Sequence, residues 1–118
     1  MPSQSKVAST DNVEIAVYDY EPNSTLPTVL LSHATGFHGR CFEPIAQHLA
    51  PTNHCIAFDY RGHGDSVISS DWQVRWTAYG DDALAVARVA AARGPVVAAG
   101  HSMGGAALVM AAIREPQL

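Results

Sequence analysis

The chain has 118 residues, of which 47% are hydrophobic and 15% are charged, and its net charge at pH 7 is −4. This length and balance predict one small globular domain and argue against disorder. The acidic charge gives no basis for binding nucleic acid or an anionic membrane surface, and no apolar stretch reaches the roughly 18–20 residues that span a bilayer. The first residues lack the apolar segment of a signal peptide, so we expect a cytoplasmic protein in which Cys41 and Cys55 are free thiols.

Hydrophobic periodicity predicts alternating strands and helices along the chain. The predicted elements are a hairpin over 6–20, a loop over 21–27, a strand over 28–32, a loop over 33–40, a helix over 41–50, a strand over 54–59, a polar loop over 60–77, a helix over 78–93, a strand over 95–99 and a helix over 103–114. Asp81 and Asp82 fall in the first turn of the predicted helix over 78–93, where acidic side chains complement the helix dipole. The pattern predicts an α/β fold, in which an N-terminal β-hairpin precedes a mostly parallel, twisted sheet with helices on both faces.

The segment Gly100-His101-Ser102-Met103-Gly104 follows an apolar strand and opens a helix rich in small residues. This layout is typical of a nucleophile elbow, a strained strand-to-helix turn that presents a reactive serine. The turn brings backbone segments close together, so glycine is expected at positions 100 and 104, where a Cβ atom would collide. The N-terminus of the following helix favours negative charge near the serine oxygen. Ser102 is therefore the candidate nucleophile.

Three segments together resemble the α/β-hydrolase family, in its serine-nucleophile branch. Besides the elbow, residues 33–39 are similar to the oxyanion loop of the family, and residues 58–66 are similar to the D-x-R-G-x-G-x-S segment after its fourth strand. In the family, about three further strands follow, and the catalytic Asp or Glu and the catalytic His come after later strands. Only sixteen residues follow Ser102, and none is Asp or His. The resemblance thus implies that residues 1–118 are the N-terminal portion of a hydrolase domain, present as a fragment or truncated product.

The resemblance implies a serine hydrolase that acts on an ester or related acyl substrate through an acyl-serine, without a cofactor or metal. The backbone N–H of Met103 would be one oxyanion donor, because the residue after the nucleophile presents its amide to the oxyanion. Aligning His33 with the start of the family's loop makes the N–H of Thr35 the second donor. The loop has alanine where the family usually has glycine, so the N–H of Gly36 or Phe37 is an alternative.

The other polar and aromatic residues of these segments are interpreted as structural. His101 is expected to form a wall of the site, because adjacent side chains on a tight turn diverge, and His33 is expected to be structural. Three scattered histidines lack the spacing of metal ligands: His38, His48 and His54. Four residues of the segment 58–66 are expected to form a hydrogen-bonded turn that holds the loop after the fourth strand: Asp59, Arg61, His63 and Asp65. Three aromatic residues are interpreted as packing residues rather than substrate contacts: Trp72, Trp76 and Tyr79.

Several alternatives remain at this stage. The same residues are compatible with thioesterase, lactonase or cofactor-free haloperoxidase activity, whereas epoxide hydrolases and dehalogenases of this fold carry Asp at the elbow. The sequence Gly62-His63-Gly64 lacks the third glycine of a dinucleotide-binding motif. A hypothesis from another class is that the chain is a non-catalytic fragment or binding module, with its fifth strand at an open sheet edge. The identity of the substrate and the oligomeric state stay open.

Overall fold

The computed structural model describes residues 2–20, 27–70, 72 and 74–117. Its strands, numbered in chain order, are β1 (Ser3–Ala8), β2 (Glu14–Tyr20), β3 (Thr28–Ser32), β4 (Cys55–Phe58) and β5 (Val96–Gly100). Its α-helices are α1 (Glu43–Leu49), α2 (Trp76–Ala91) and α3 (Met103–Arg114). Two short 3-10 helices cover Thr10–Asn12 and Gly39–Phe42. The alternation of strands and helices after the first two strands confirms the predicted α/β fold.

The strands form an open, mixed sheet in the order β1-β2-β4-β3-β5. β1 and β2 pair as the predicted antiparallel hairpin, and β2 also runs antiparallel to β4. β4, β3 and β5 are parallel, and Ser32 at the end of β3 lies opposite Gly100 at the end of β5. The loops that follow these three parallel strands therefore leave the sheet at the carboxyl ends of the strands. Open α/β sheets bind their ligands at this end.

Helices cover both faces of the sheet, as the sequence predicted. α2 and α3 pack on one face, where the buried core includes Ile15, Val17, Leu30, Ile56 and Phe58. α1 packs on the other face, over a smaller core that includes Ala16, Tyr18, Leu31, Cys55 and Ala57. Consecutive residues of β2, β3 and β4 alternate between the two cores because successive side chains of a strand point to opposite faces.

The first helix is shorter than predicted. α1 begins at Glu43 rather than at Cys41, because the preceding residues form the 3-10 turn Gly39–Phe42. Pro44 lies in the first turn of α1, where its missing N–H costs no helical hydrogen bond. The predicted loop over 21–27 lies outside the described residues, except for Pro27.

The second long helix starts earlier than predicted, at Trp76. Asp81 and Asp82 consequently lie in its second turn, and the expectation that they complement the helix dipole from the first turn is wrong. Asp82 is buried and pairs with Arg61, a residue of the loop after β4. The side chain of Arg75, which precedes the helix, makes no capping hydrogen bond, so the usual sequence signal for a helix start is missing here.

β5 lies at the edge of the sheet and pairs, among the described residues, with β3 alone. Val97 is 57% exposed, and residues 98–100 are exposed as well. Val109 and Ile113 on the neighbouring α3 are also exposed. The predicted open edge is confirmed, and apolar side chains surround it.

Three further observations concern the expectations drawn from composition. Both cysteines are free thiols, as predicted, with Cys41 exposed and Cys55 buried. Among the helices that the structure describes, none has the length and hydropathy needed to cross a membrane. Within the same residues, no group of three or more His, Cys, Asp or Glu side chains could hold a metal ion.

Candidate active site

Ser102 lies in the turn between β5 and α3 with φ of 55° and ψ of −116°. A positive φ is rare for a residue with a side chain and costs about 1–3 kcal/mol, so it persists only where the surrounding structure imposes it. The surrounding hydrogen bonds do so: the His101 N–H donates to the Ser32 carbonyl (3.0 Å), and the Gly104 N–H donates to the His101 carbonyl (3.0 Å). The Ser102 side chain is exposed beyond the carboxyl end of β5.

The glycines on either side of Ser102 occupy positions without room for a side chain. A Cβ atom at Gly100 would lie 2.6 Å from the Cα of Gly105. A Cβ atom at Gly104 would lie 2.4 Å from the His33 carbonyl oxygen and 2.5 Å from the Ser32 carbonyl oxygen. These contacts are backbone atoms, which cannot rotate away. The spacing of the glycines thus lets α3 approach the end of β3 directly after the serine.

A buried chain of hydrogen bonds also connects the elbow to β3 and β4. The Ser32 hydroxyl donates to the Gly104 carbonyl (3.0 Å), so the Tyr60 hydroxyl is the donor in its 2.7 Å contact with Ser32 Oγ. Burial raises the pKa of Tyr60, which keeps its phenol protonated and able to donate at neutral pH. The roles of Ser32 and Tyr60 were not predicted from the sequence, in which a polar residue at the end of an apolar strand is the only local signal for such a link.

His33, the first residue of the loop after β3, is buried and neutral. Its Nε2 accepts a hydrogen bond from the Tyr60 N–H (3.0 Å), so its Nδ1 carries the proton and donates to the Ala34 carbonyl (2.7 Å). Burial lowers the pKa of His33 to about 4. With both ring nitrogens engaged, His33 holds the loop against the end of β4, in agreement with the structural role expected for it.

The three amides considered as the second oxyanion donor differ in their partners. The Gly36 N–H donates to His63 Nε2 (3.0 Å), and the Phe37 N–H donates to the Ala34 carbonyl (3.1 Å). For the Thr35 N–H, the described residues offer no acceptor. On the other side of the turn, the Met103 N–H is the first amide of α3, a position that has no partner within the helix.

Asp59 joins the loop after β3 to the loop after β4. Its buried carboxylate accepts hydrogen bonds from the Gly39 N–H (2.7 Å), the Asp65 N–H (2.8 Å) and the Tyr18 hydroxyl (2.5 Å). Gly64 has φ of +49°, and a Cβ atom there would lie 2.2 Å from Asp59 Oδ2. The carboxylate of Asp59 and the glycine at position 64 therefore depend on each other through packing, and the interpretation as a hydrogen-bonded turn agrees with these contacts.

Arg61 extends the same turn toward the N-terminal hairpin. Its side chain is fully buried, with Nη2 2.9 Å from Asp82 Oδ1 and Nη1 2.7 Å from Asp11 Oδ2. Asp11 has φ of 59°, the left-handed conformation that tightens the turn between β1 and β2. Arg61 therefore links the hairpin turn and α2 to the end of β4. Removal of one partner from a buried ion pair of this kind strongly destabilises the protein.

Within the part of the chain that the structure describes, none of the remaining histidines and aromatic residues forms a hydrogen bond with the Ser102 side chain. His63 donates from Nδ1 to the Arg61 carbonyl (2.9 Å) and accepts at Nε2, so both of its nitrogens are engaged. His101 is exposed, and its ring lies 5.9 Å from that of Phe37. Three more histidines lie outside the site, two of them exposed and one bound to Asp19 and Thr28: His38, His48 and His54.

The aromatic residues near α2 separate into two groups. Trp72 and Tyr79 pack against the core, and the Tyr79 ring meets the Tyr60 ring edge-on at 5.7 Å, as the packing interpretation predicted. Trp76 is 59% exposed, so the packing interpretation is wrong for this residue. Its position in the first turn of α2 places the indole at the surface.

Comparison with known proteins agrees with this architecture. The α/β hydrolase family matches residues 29–116. Lipase LipV of Mycobacterium tuberculosis is 37% identical over 108 residues, which are 90% of this chain and 39% of that protein. The 2-(acetamidomethylene)succinate hydrolase of Mesorhizobium japonicum is 34% identical over 94 residues, 78% of this chain and 32% of that protein.

An α/β hydrolase structure from Novosphingobium aromaticivorans superposes with a TM-score of 0.83 and 27% identity, over 98% of this chain and 40% of that one. The chain therefore spans less than half of the length of each of these relatives. The match of the family over three quarters of the chain, together with the sheet order and the elbow, shows that this chain belongs to the α/β hydrolase family.

Proposed function

We propose that this chain is the part of a serine hydrolase that carries its nucleophile and oxyanion donors, and that residues 1–118 are the N-terminal portion of the hydrolase domain. In this proposal Ser102 is the nucleophile, and the backbone N–H groups of Met103 and Thr35 bind the oxyanion. The substrate is an ester or related acyl compound. Two relatives are named as a lipase and as a hydrolase. Both names favour a hydrolytic reaction, and the name lipase favours an ester as the substrate.

The observation that carries the proposal is the strained turn at Ser102 directly before α3. A serine with φ of 55° places its hydroxyl at the N-terminal end of the helix, where amides and the helix dipole favour an oxyanion. The amide of Thr35 supports the assignment because it has no acceptor among the described residues, whereas Gly36 and Phe37 donate elsewhere. The glycine at 104 keeps α3 close to the end of β3, beside this loop.

The chemistry follows from these roles. Ser102 Oγ forms a bond to the carbonyl carbon of the ester while a base takes the hydroxyl proton, and the carbonyl oxygen becomes an oxyanion that accepts the two amide hydrogen bonds. The bond to the alcohol then breaks, the alcohol leaves with the proton, and water repeats the sequence to release the acid. Thioesters and lactones meet the same groups and remain alternatives as substrates.

A second candidate is a non-catalytic fragment or binding module, which we infer for the 118-residue chain when it is made alone. The observation that favours it is the state of the histidines: His33 and His63 have both ring nitrogens engaged, and no described histidine bonds to Ser102. Removal of triad members lowers the rate of other serine hydrolases by about 10⁴–10⁶. We therefore expect this chain alone to be inactive, and its open β5 edge makes it prone to aggregate.

The experiment that tests the proposal is covalent labelling with a fluorophosphonate, followed by intact mass. We expect one label in the protein expressed from its full reading frame, loss of that label in Ser102→Ala, and retention in the control Ser70→Ala, which changes an exposed serine outside the elbow. A label that survives Ser102→Ala would contradict the assignment of the nucleophile. Labelling of the isolated 118-residue chain at Ser102 would contradict its expected inactivity.

A further inference from the structure

The tip of the loop after β3, residues 35–37, carries the amide proposed above as the second oxyanion donor. These three residues are exposed, whereas Ala34 before them is buried. Among the described residues, two hydrogen bonds reach the tip. The Phe37 N–H donates to the Ala34 carbonyl (3.1 Å), and the Gly36 N–H donates to His63 Nε2 (3.0 Å). Within the described part of the chain, His63 is therefore the residue that joins the tip to another loop by a hydrogen bond.

The tip is a single closed turn, so an anchor on one of its amides also fixes the next. The hydrogen bond of Phe37 closes a turn that starts at Ala34, and Gly36 at the third position has φ of +85°. The φ of Thr35 is not positive, and this combination is typical of a type II turn. Thr35 and Gly36 are consecutive residues of the turn. The hydrogen bond to His63 therefore also fixes the Thr35 amide relative to the loop after β4.

The loop after β4 in turn holds His63. The backbone N–H of His63 donates to the Tyr60 carbonyl (3.0 Å), and its Nδ1 donates to the Arg61 carbonyl (2.9 Å). Its ring lies 5.0 Å from the ring of the buried His33. A neutral imidazole that donates from Nδ1 has its lone pair on Nε2, which is the atom that accepts the Gly36 N–H. The acceptor is thus fixed both in its place and in its tautomer.

We propose, resting on the function proposed above, that His63 is a positioning residue, which holds the turn so that the Thr35 N–H meets the oxyanion. In this role the imidazole acts through the Gly36 amide and not on the substrate. A donor stabilises an oxyanion most when it is already in place as the charge develops. A displacement of about 1 Å costs up to about 10²-fold in rate, so release of the exposed tip should lower kcat about tenfold. Complete loss of a donor costs more, about 10²–10³-fold.

The test uses His63→Asn and His63→Gln in the protein expressed from its full reading frame. A glutamine side chain reaches far enough to place an oxygen acceptor where Nε2 lies, whereas an asparagine reaches only the place of Nδ1. His63→Asn should lower kcat for p-nitrophenyl acetate about tenfold and leave KM unchanged, and His63→Gln should restore most of the rate. Each kcat is expressed per serine labelled by a fluorophosphonate, which excludes unfolded protein. The matched control is His48→Asn, the same change at an exposed histidine of α1, which should leave kcat unchanged.

A second measurement reports the contacts to the oxyanion directly. In p-nitrophenyl thionoacetate, sulfur replaces the carbonyl oxygen of the acetate ester, and sulfur is the weaker hydrogen-bond acceptor. Oxyanion donors therefore favour the ester over the thionoester. We expect the ester-to-thionoester ratio of kcat/KM to fall about fivefold in His63→Asn and to recover in His63→Gln. A change that affects folding alone alters both rates alike and leaves this ratio unchanged.

Two outcomes would overturn the inference. Unchanged kcat and an unchanged ratio in His63→Asn would show that the turn keeps its place without the imidazole. An equal loss of kcat in both variants with an unchanged ratio would show that His63 supports the fold and not the oxyanion donor. In either case continued labelling of Ser102 leaves the proposed function standing. If the unmodified protein neither labels at Ser102 nor hydrolyses the ester, the proposed function and this inference both fail.

Discussion

Alanine at position 104 is the sharpest test of how the elbow is built. The added Cβ atom would lie 2.4 Å and 2.5 Å from two backbone carbonyl oxygens, of His33 and Ser32, and 2.6 Å from Ser32 Oγ. Since real Cβ atoms keep at least 3.0 Å from other heavy atoms, α3 must move away from the end of β3 by about 0.6 Å. That displacement acts on the same carbonyl that accepts the Ser32 hydrogen bond.

We expect Gly104→Ala to lower the free energy of unfolding by about 2–3 kcal/mol. Overpacking of this kind costs about 1–3 kcal/mol, the Ser32 hydrogen bond adds about 1 kcal/mol, and the higher helix propensity of alanine returns at most about 1 kcal/mol. The reactivity of Ser102 should fall further, by about 10²-fold, because a shift of this size misplaces the reacting groups. In the protein expressed from its full reading frame, urea unfolding followed by circular dichroism measures the first effect, and the rate of fluorophosphonate labelling measures the second.

Gly105→Ala is the matched control for this experiment. It makes the same chemical change one residue along the same helix, yet its Cβ atom would lie 3.5 Å from the nearest atom, the Gly100 carbonyl oxygen. We expect Gly105→Ala to be as stable as the unmodified protein or slightly more stable. If Gly104→Ala unfolds at the same urea concentration as Gly105→Ala and labels at the same rate, the reasoning about the close approach of α3 to β3 is refuted.

Three further predictions concern buried polar residues. Asp82→Asn should lower the free energy of unfolding by about 3 kcal/mol, measured by urea unfolding, because it removes the fully buried one of the two carboxylates that pair with the Arg61 guanidinium and leaves Asp11 as the other; a loss below about 1 kcal/mol would contradict this. His33 has a folded-state pKa near 4, below its ordinary value of 6.5, so the unfolded chain binds more protons and stability should fall by up to about 3 kcal/mol as pH drops from 6.5 to 4. His33→Asn should show a shallower pH dependence, and an identical slope would argue against a buried neutral histidine. Tyr60→Phe should cost about 1 kcal/mol and slow the labelling of Ser102, because it removes the donor to Ser32 while that hydroxyl keeps its bond to the elbow; unaltered stability and labelling would exclude this link.

Local pattern accounted for most of the fold. α3 was predicted at the residues where it is found, because a run of small and apolar residues follows the elbow and Glu115-Pro116 ends it. β3 was likewise predicted at its observed bounds from a continuous apolar run. The start of α2 was missed because Arg75 gives no capping signal, and the error carried over to Asp81 and Asp82.

The sequence by itself determined the order of strands and helices, the family resemblance and the serine at the strand-to-helix turn, because these depend on residues close together in the chain. Only the tertiary structure decided which polar groups meet. Asp82 lies 21 residues from Arg61, and Ser32 lies 72 residues from the Gly104 carbonyl to which it donates. Parallel strands bring the residues that follow them to the same end of the sheet. Which polar groups then become partners depends on strand order and register, and no local pattern encodes these.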